Sequence, residues 1–438
     1  MTDKPSAERG LCELYANDPE HADAVVFGRR AQADRRGFLK GAGLAAVSAA
    51  VGAPLVFHRT FPSGLIPAAL AQDATDFRLE GKDGLVVLSD RPINAETPAH
   101  LLDDDITPIA RHFVRDNGVM PEAARRLDAS GWSLSVDGEV ERPLTLGLDE
   151  LKRRFKPVKL KLQLECGGNG RASFNPPVSG NQWTVGAIGH AEWTGVRYAD
   201  VLKAAGLKSS AVYTGHYGTD THLSGNPDKI PISRGVPIAK ALEAHSLLAF
   251  EMNGEPIPAY HGHPVRLVCA GWPGSVSQKW LSRIWVRDRV HDGAKMESPS
   301  YRVPRYPVAP GTDVPDEDMV IMESMPVKSI ITWPQSGFAV AGREIELRGH
   351  AWAGERAVKA VDVSIDFGAS WIRARLGAPP NRYAWQRWRA AIRLPQAGYY
   401  EAWVRATDSE GAAQPFAVAW NPKGYGANGM HRIAFTTS

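Results

Sequence analysis

Two stretches late in the chain alternate strictly between apolar and polar residues. VDVSIDF (361–367) puts Val361, Val363, Ile365 and Phe367 on one face and Asp362, Ser364 and Asp366 on the other, and YEAWVRAT (400–407) alternates likewise. A period of two belongs to strands with one buried face, and strands at this spacing with turns between them predict a β-sandwich past Met325. From about Asp76 to Val290 the pattern is mixed. Short β-rich runs such as LSVDGEV (134–140) alternate with helical stretches such as YADVLKAAGL (198–207) and PIAKALEAH (237–245), punctuated by glycine and proline. Between the two regions, AKMESPSYRVPRYPVAPGTDVPDEDMVIM (294–322) is dense in prolines and charges, and no regular element is expected there. The chain thus divides into an α+β domain over 76–300, a linker over 301–324 and an all-β domain over 325–438, with no fixed-period repeat or low-complexity tract.

The first seventy residues read as a targeting segment. Arg35 and Arg36 precede Phe38, Leu39 and Lys40, a weakly apolar Ala/Gly/Val run extends from Gly41 to Phe57, and small residues around Ala69–Gln72 offer a cleavage site. This is the pattern of a twin-arginine export signal over 1–71, and it predicts a periplasmic protein exported folded through the twin-arginine machinery. A membrane anchor is the competing reading, but the run is shorter than the ~20 apolar residues a span needs and is rich in Gly and Ala. No stable span is expected in the mature form.

Composition adds limits. Of 438 residues, 43% are hydrophobic and 23% charged, and the formal net charge is +3, so bulk charge gives no reason to expect a nucleic-acid partner. The three cysteines are Cys12, which would leave with the signal, Cys166 and Cys269. They make no disulfide framework, no CxxC pair and no CxxCH haem attachment motif. Cys269, in the apolar run VRLVCAG, reads as a buried structural cysteine.

Cys166 is different. It lies in LECGGNGR (164–171), between an acid and two glycines, with Arg171 five residues on. A thiolate here is either a nucleophile or a metal ligand. The loop lacks the Lys-Ser/Thr ending of a phosphate-binding loop. No further Cys or His stands beside it for zinc. A single thiolate can hold a metal if a cofactor supplies the other ligands, with glycines letting that cofactor approach the backbone and Arg171 binding an anion by its fork. A structural cysteine in a turn remains the other reading of these residues alone.

LECGGNGR, followed by NQWTVGAIGHAEWTGVRYADVL (181–202), EMNGEPIPAYHGHPVRLVCAGWPGSVSQKWLSRIWV (251–286), ESMPVKSIIT (323–332) and WNPKGYGANGMHR (420–432), resembles the sulfite oxidase family of molybdenum enzymes over roughly 76–438. In style it is similar to periplasmic bacterial sulfite dehydrogenases without a fused haem domain. The resemblance implies a molybdopterin-binding domain followed by an immunoglobulin-like dimerisation domain, a homodimer, one molybdenum–molybdopterin per chain, and oxidation of sulfite to sulfate with electrons passed to a separate c-type cytochrome. Carried over position by position, it makes Cys166 the molybdenum ligand. HFVRDNG (112–118) matches the cofactor-contacting segment, so Phe113, Val114, Arg115, Asp116 and Asn117 should line the pterin, with Arg115 also reaching the substrate. Arg171 matches the second substrate arginine, Trp183 the pocket tryptophan and Tyr301 the tyrosine beside the metal. Asp220, His261, Arg266, Ser277, Gln278 and Lys279 match cofactor contacts.

Three departures from the family pattern stand out. Asn117 replaces a histidine, Lys423 stands where the family often has an arginine, and CGGNG replaces Cys-Ala-Gly-Asn. The first removes a titratable group from the pocket. The second keeps the charge that would hold substrate but loses the bidentate fork. Substrate choice is left open among small sulfur species. A sulfane dehydrogenase is the runner-up, a methionine-sulfoxide-type reductase fits the Arg115–Arg171 pair less well, and a cofactor-free periplasmic binding protein would have no use for Cys166. Taken singly, each residue also has a plain structural reading: salt-bridge partners for the arginines, core for Trp183, loop packing for His261 and Tyr301.

Overall fold

The computed structural model describes residues 78–438; the predicted export signal and Cys12 lie outside them. The first half is built on two five-stranded sheets. One runs Leu144–Gly147, Ser133–Gly138, Leu281–Arg287, Tyr213–Gly218, Gly235–Pro237, with Ser133–Gly138 parallel to Leu281–Arg287. The other joins Glu255–Pro256, Leu247–Met252, Ile188–Arg197 and Pro157–Glu165, with Arg266–Val268 also pairing Leu247–Met252. The helix Tyr198–Ala205 buries Tyr198, Val201 and Leu202 against Leu134, Val136 and Ile284, and stops at Gly206, whose φ of 72° only glycine adopts cheaply. A small three-stranded sheet, Val86–Asp90, Ile93–Glu96 and Val114–Arg115, closes one side.

The second half is a sandwich. A four-stranded sheet (Lys328–Trp333, Glu344–Trp352, Gln386–Arg393, Arg375–Leu376) faces a five-stranded one (Phe338–Val340, His431–Thr437, Gly398–Asp408, Val358–Ser364, Ile372–Arg373). Leu347, Trp388 and Ile392 of the first interleave with Val361, Val363, Ala402, Val404 and Phe435 of the second. Among the described residues no helix is long and apolar enough to cross a membrane.

Three local expectations need correcting. The proline-dense stretch does form regular structure: Arg302–Pro304 pairs antiparallel with Met319–Ile321, because Pro304 sits at the end of the ladder and Arg302 and Val303 carry the pairing. PIAKALEAH yields only a one-turn helix, Ile238–Ala241. The alternation of VDVSIDF ends at Ser364, and Phe367, at φ 58° in a turn, is 63% exposed rather than in the core.

The two halves meet directly behind the strand Pro157–Glu165. Fully buried Glu165 accepts hydrogen bonds from Lys328 Nζ (2.5 Å), Trp352 Nε1 (2.7 Å) and Asn169 Nδ2 (3.0 Å). A loop of the second half reaches back to the first, where Gly426 N donates to Gly167 O (2.9 Å) and Trp420 Nε1 to Pro176 O (2.9 Å).

Candidate active site

Pro157–Glu165 pairs along its whole length with Ile188–Arg197, and Cys166 is the first residue past its end. The Cys166 N–H donates to Ala187 O and its carbonyl accepts from Asn169 N, both at 2.9 Å, so the thiol is placed by the backbone. The glycines serve packing as well as any ligand. A Cβ on Gly168 would lie 2.5 Å from the Arg171 guanidinium, and one on Gly167 would come within 3.3 Å of Pro273. Cys166 is buried, as is Cys269, whose thiol burial raises to about 11 within the core.

Two cavities meet at Cys166. An inner one and an outer one share Arg115, Asn117, Cys166 and Tyr301 in their walls. Phe113, Asp220, His261, Arg266, Ser277, Gln278 and Lys279 line the inner cavity, and Arg171, Trp183 and Lys423 the outer. Val114 and Asp116 line neither. Alternation along Phe113–Asn117 turns every second residue away: Val114 packs with Leu79 and Ala95, while Asp116 is buried and reaches the inner wall only through its ion pair with Lys279.

The inner cavity suits a group rich in polar atoms. His112 Nε2, Asp220 Oδ1, Ser275 Oγ and Gln278 Oε1 are buried without a protein partner on its walls. Each such atom costs on the order of 1–3 kcal/mol unless a ligand meets it. Around it, burial shifts the charges. Burial pushes Asp220 up to about 6, opposed by Lys279. Burial, with Lys279 adding, lowers Lys82 to about 7, and the Lys82 ammonium lies 2.6 Å from His261 Nε2, an imidazole that burial and Lys82 hold neutral. Burial lowers Arg266 to about 9; its guanidinium donates to His261 O and Ser277 O, both at 3.0 Å. Among the described residues no three His, Cys, Asp or Glu side chains converge as a metal site. A metal at Cys166 would therefore draw its other ligands from a cofactor, and the donor set of the cavity fits a pterin.

The outer cavity is cationic. Arg171 donates from Nη1 to Asn181 O (3.1 Å) and from Nε to Lys423 O (3.2 Å), its guanidinium 5.0 Å from the Tyr425 ring centre. Arg115 donates from Nη2 to Asn117 Oδ1 (3.0 Å); burial disfavours its charge, but Tyr301, Cys166, Asp116 and Tyr425 together outweigh that and raise it. Trp183 is fully buried with its Nε1–H unpartnered. Tyr301 adopts φ 50°, a costly conformation for a non-glycine residue, and is clamped between Tyr425, stacked at 4.9 Å, and Arg234, 4.5 Å from its ring centre. Sequence reasoning missed Lys295, Tyr425, Arg234 and Lys82. Tyr425 was within reach, inside WNPKGYGANGMHR; the other three stand in stretches with no motif of their own.

Residues 120–295 match the oxidoreductase molybdopterin binding domain family, and residues 319–438 the Mo-co oxidoreductase dimerisation domain family. The sulfite oxidase of Gallus gallus is 36% identical over 366 residues, covering 80% of this chain and 77% of that protein. The mitochondrial sulfite oxidase of Homo sapiens is 35% identical over 371 residues, and there the chain spans 65% of the relative's length. The sulfane dehydrogenase SoxCD from Paracoccus pantotrophus superimposes with a TM-score of 0.65 at 26% identity, over 84% of this chain and 90% of that one. Two family domains in tandem order, and a relative above one-third identity matched over most of its length, lead to one conclusion: the chain belongs to the sulfite oxidase family of molybdopterin oxidoreductases.

Proposed function

We propose that this protein is a molybdenum-dependent sulfite dehydrogenase that oxidises sulfite to sulfate and passes electrons to a separate c-type cytochrome. The observation that carries the reading is the position of Cys166 at the junction of a polar inner cavity and a cationic outer one. The inner cavity would hold molybdopterin through Phe113, His261, Arg266, Ser277, Gln278 and Lys279, with Cys166 as the protein's ligand to the metal. When bound, that group supplies the two-electron oxidation and the oxygen transferred to sulfur.

The chain's own residues do the rest. Arg115, Arg171 and Lys423 offer positive charge to an oxyanion in the outer cavity and offset its dianionic charge. Trp183 Nε1–H is a free, buried donor on the same wall. Tyr301, whose ring contacts Tyr425 and Arg234, lines both cavities, where its hydroxyl would hand a proton outward. The match of residues 319–438 to a dimerisation family supports a homodimer. The twin-arginine pattern at Arg35–Arg36 supports export of the folded protein to the periplasm, where c-type cytochromes are available as acceptors.

One observation favours a second reading. The likeness to a sulfane dehydrogenase covers both halves. A substrate panel with ferricytochrome c as acceptor separates the two. Sulfite turnover with an inactive carrier-bound sulfane supports the sulfite reading; the reverse order of rates replaces it.

A further inference from the structure

We propose that Lys295 is a substrate-binding residue: held beside Arg115 by the amide oxygen of Asn117, it is the fourth cation on the wall of the outer cavity, and the four together select a doubly charged oxyanion over a singly charged one. The inference rests on the reading of the outer cavity as the site of a sulfur oxyanion.

Lys295 lies on the wall of that cavity. Its Nζ donates to Asn117 Oδ1 at 2.8 Å, and the same oxygen accepts from Arg115 Nη2 at 3.0 Å. One neutral acceptor therefore holds two like charges side by side. Neither Lys295 nor Arg115, Arg171 or Lys423 forms an ion pair among the described residues, so four cations share one mouth without a bonded counter-ion. Asp220 is the acid that faces Lys295, and its attraction only partly opposes the loss of hydration and the repulsion of Arg115, which together lower Lys295 to about 8. An arriving dianion removes that imbalance.

The backbone gives a second, independent reason. Lys295 adopts φ 64°, the left-handed region that a lysine enters only when its surroundings dictate it. The surroundings do. Ala294 O accepts from Ser233 N (2.9 Å), Met296 N donates to Gly293 O (2.9 Å), Met296 O accepts from Arg302 Nη2 (3.2 Å), and the Met296 side chain is buried. With the turn fixed on both sides, the Lys295 side chain is directed to the cavity. An ammonium has three donors, and the bond to Asn117 uses one. Two remain for oxyanion oxygens.

The test uses molybdenum-loaded enzyme and three variants: Lys295→Gln, which can keep a donor to Asn117 without the charge, Lys295→Met and Lys295→Arg. Sulfate binding, followed by quenching of tryptophan fluorescence, is compared with nitrate binding, and KM and kcat are measured with sulfite. Loss of one charge-assisted hydrogen bond predicts sulfate binding weaker by roughly tenfold in Lys295→Gln and Lys295→Met, with nitrate changed less than about threefold. KM for sulfite should rise about tenfold with kcat within about threefold, and Lys295→Arg should restore most of both. Sulfate affinity within about twofold of wild type in the two neutral variants overturns the assignment, as does an equal loss for nitrate. A wild-type enzyme that binds sulfate in a Lys295-dependent way but does not turn over sulfite leaves the assignment standing and overturns the proposed substrate instead.

Discussion

Arg171 is tied by two of its own carbonyl contacts, Asn181 O and Lys423 O, which fix the plane of the guanidinium before substrate arrives. A lysine at this position keeps the charge but loses the rigid planar fork that reaches both carbonyls and fixes the remaining donors, because its ammonium is a point charge on a flexible stem. Arg171→Lys is expected to raise KM for sulfite by roughly 10–100-fold and lower kcat less, read by steady-state kinetics. Asp220 gives a prediction in pH. Its folded-state value of about 6 lies above the ordinary carboxylate value, so its proton favours the folded state fully below about pH 4, and that contribution is lost as pH rises to about 6. In cofactor-free protein, Asp220→Asn should remove this loss, worth up to about 3 kcal/mol, in denaturation curves taken from pH 4 to 7. At this scale the sequence was most informative where motifs are dense. Cys166, Arg115, Arg171, Trp183, Tyr301 and Lys423 are brought to one junction, each from a short segment of recognisable pattern. Lys295 was not legible, because its role depends on a left-handed backbone and a contact across 178 positions to Asn117, neither of which leaves a local trace.

The strand Pro157–Glu165 is the element that joins the halves to the site. Its last residue, Glu165, is fully buried beneath the Cys166 turn, and its main counter-charge, Lys328, comes from the first strand of the sandwich. Lys328 Nζ also donates to Asn169 O (3.1 Å), within the turn itself. Breaking one partner of a buried pair leaves an uncompensated charge, so Lys328→Met is expected to cost about 3–5 kcal/mol. Combining it with Glu165→Gln should recover part of that loss in equilibrium denaturation, which would identify the pair rather than lysine packing as the cause. The strands and the helix Tyr198–Ala205 were readable from period-two and period-3.6 patterns. The pairing of Arg302–Pro304 with Met319–Ile321 was not, because prolines at ladder ends hide a strand as effectively as prolines within it forbid one.

Across the whole molecule, buried neutral histidines set the response to acid. Burial lowers His112, His216 and His350 to about 3, and His291 and His431 to about 4. Groups depressed in this way contribute stability that is complete above their unfolded value near 6.5 and is lost as pH falls toward 3–4. At pH 5 these five are neutral when folded and charged when unfolded, while Asp220 gives up about one proton. His261, also held neutral in the fold, acts in the same direction, so unfolding should take up protons and the melting temperature should fall between pH 7 and 5. A flat profile over that range would contradict the assigned burial. The two-half organisation was visible from the change in patterning near residue 325. The site lies close to the join, where a loop of the sandwich supplies Lys423 and Tyr425; the expected role of Lys423 pointed to that, and nothing in the sequence singled out Tyr425.

The central claim is that Cys166 holds molybdenum at the meeting of a cofactor cavity and a substrate cavity. Molybdenum content, measured on protein purified from a cofactor-competent host beside Cys166→Ser and paired with sulfite-dependent reduction of cytochrome c, tests it most directly. The account predicts about one molybdenum per wild-type chain and sulfite turnover that Cys166→Ser abolishes. Wild-type protein that carries no molybdenum, or a Cys166→Ser variant that turns over sulfite at the wild-type rate, would contradict it.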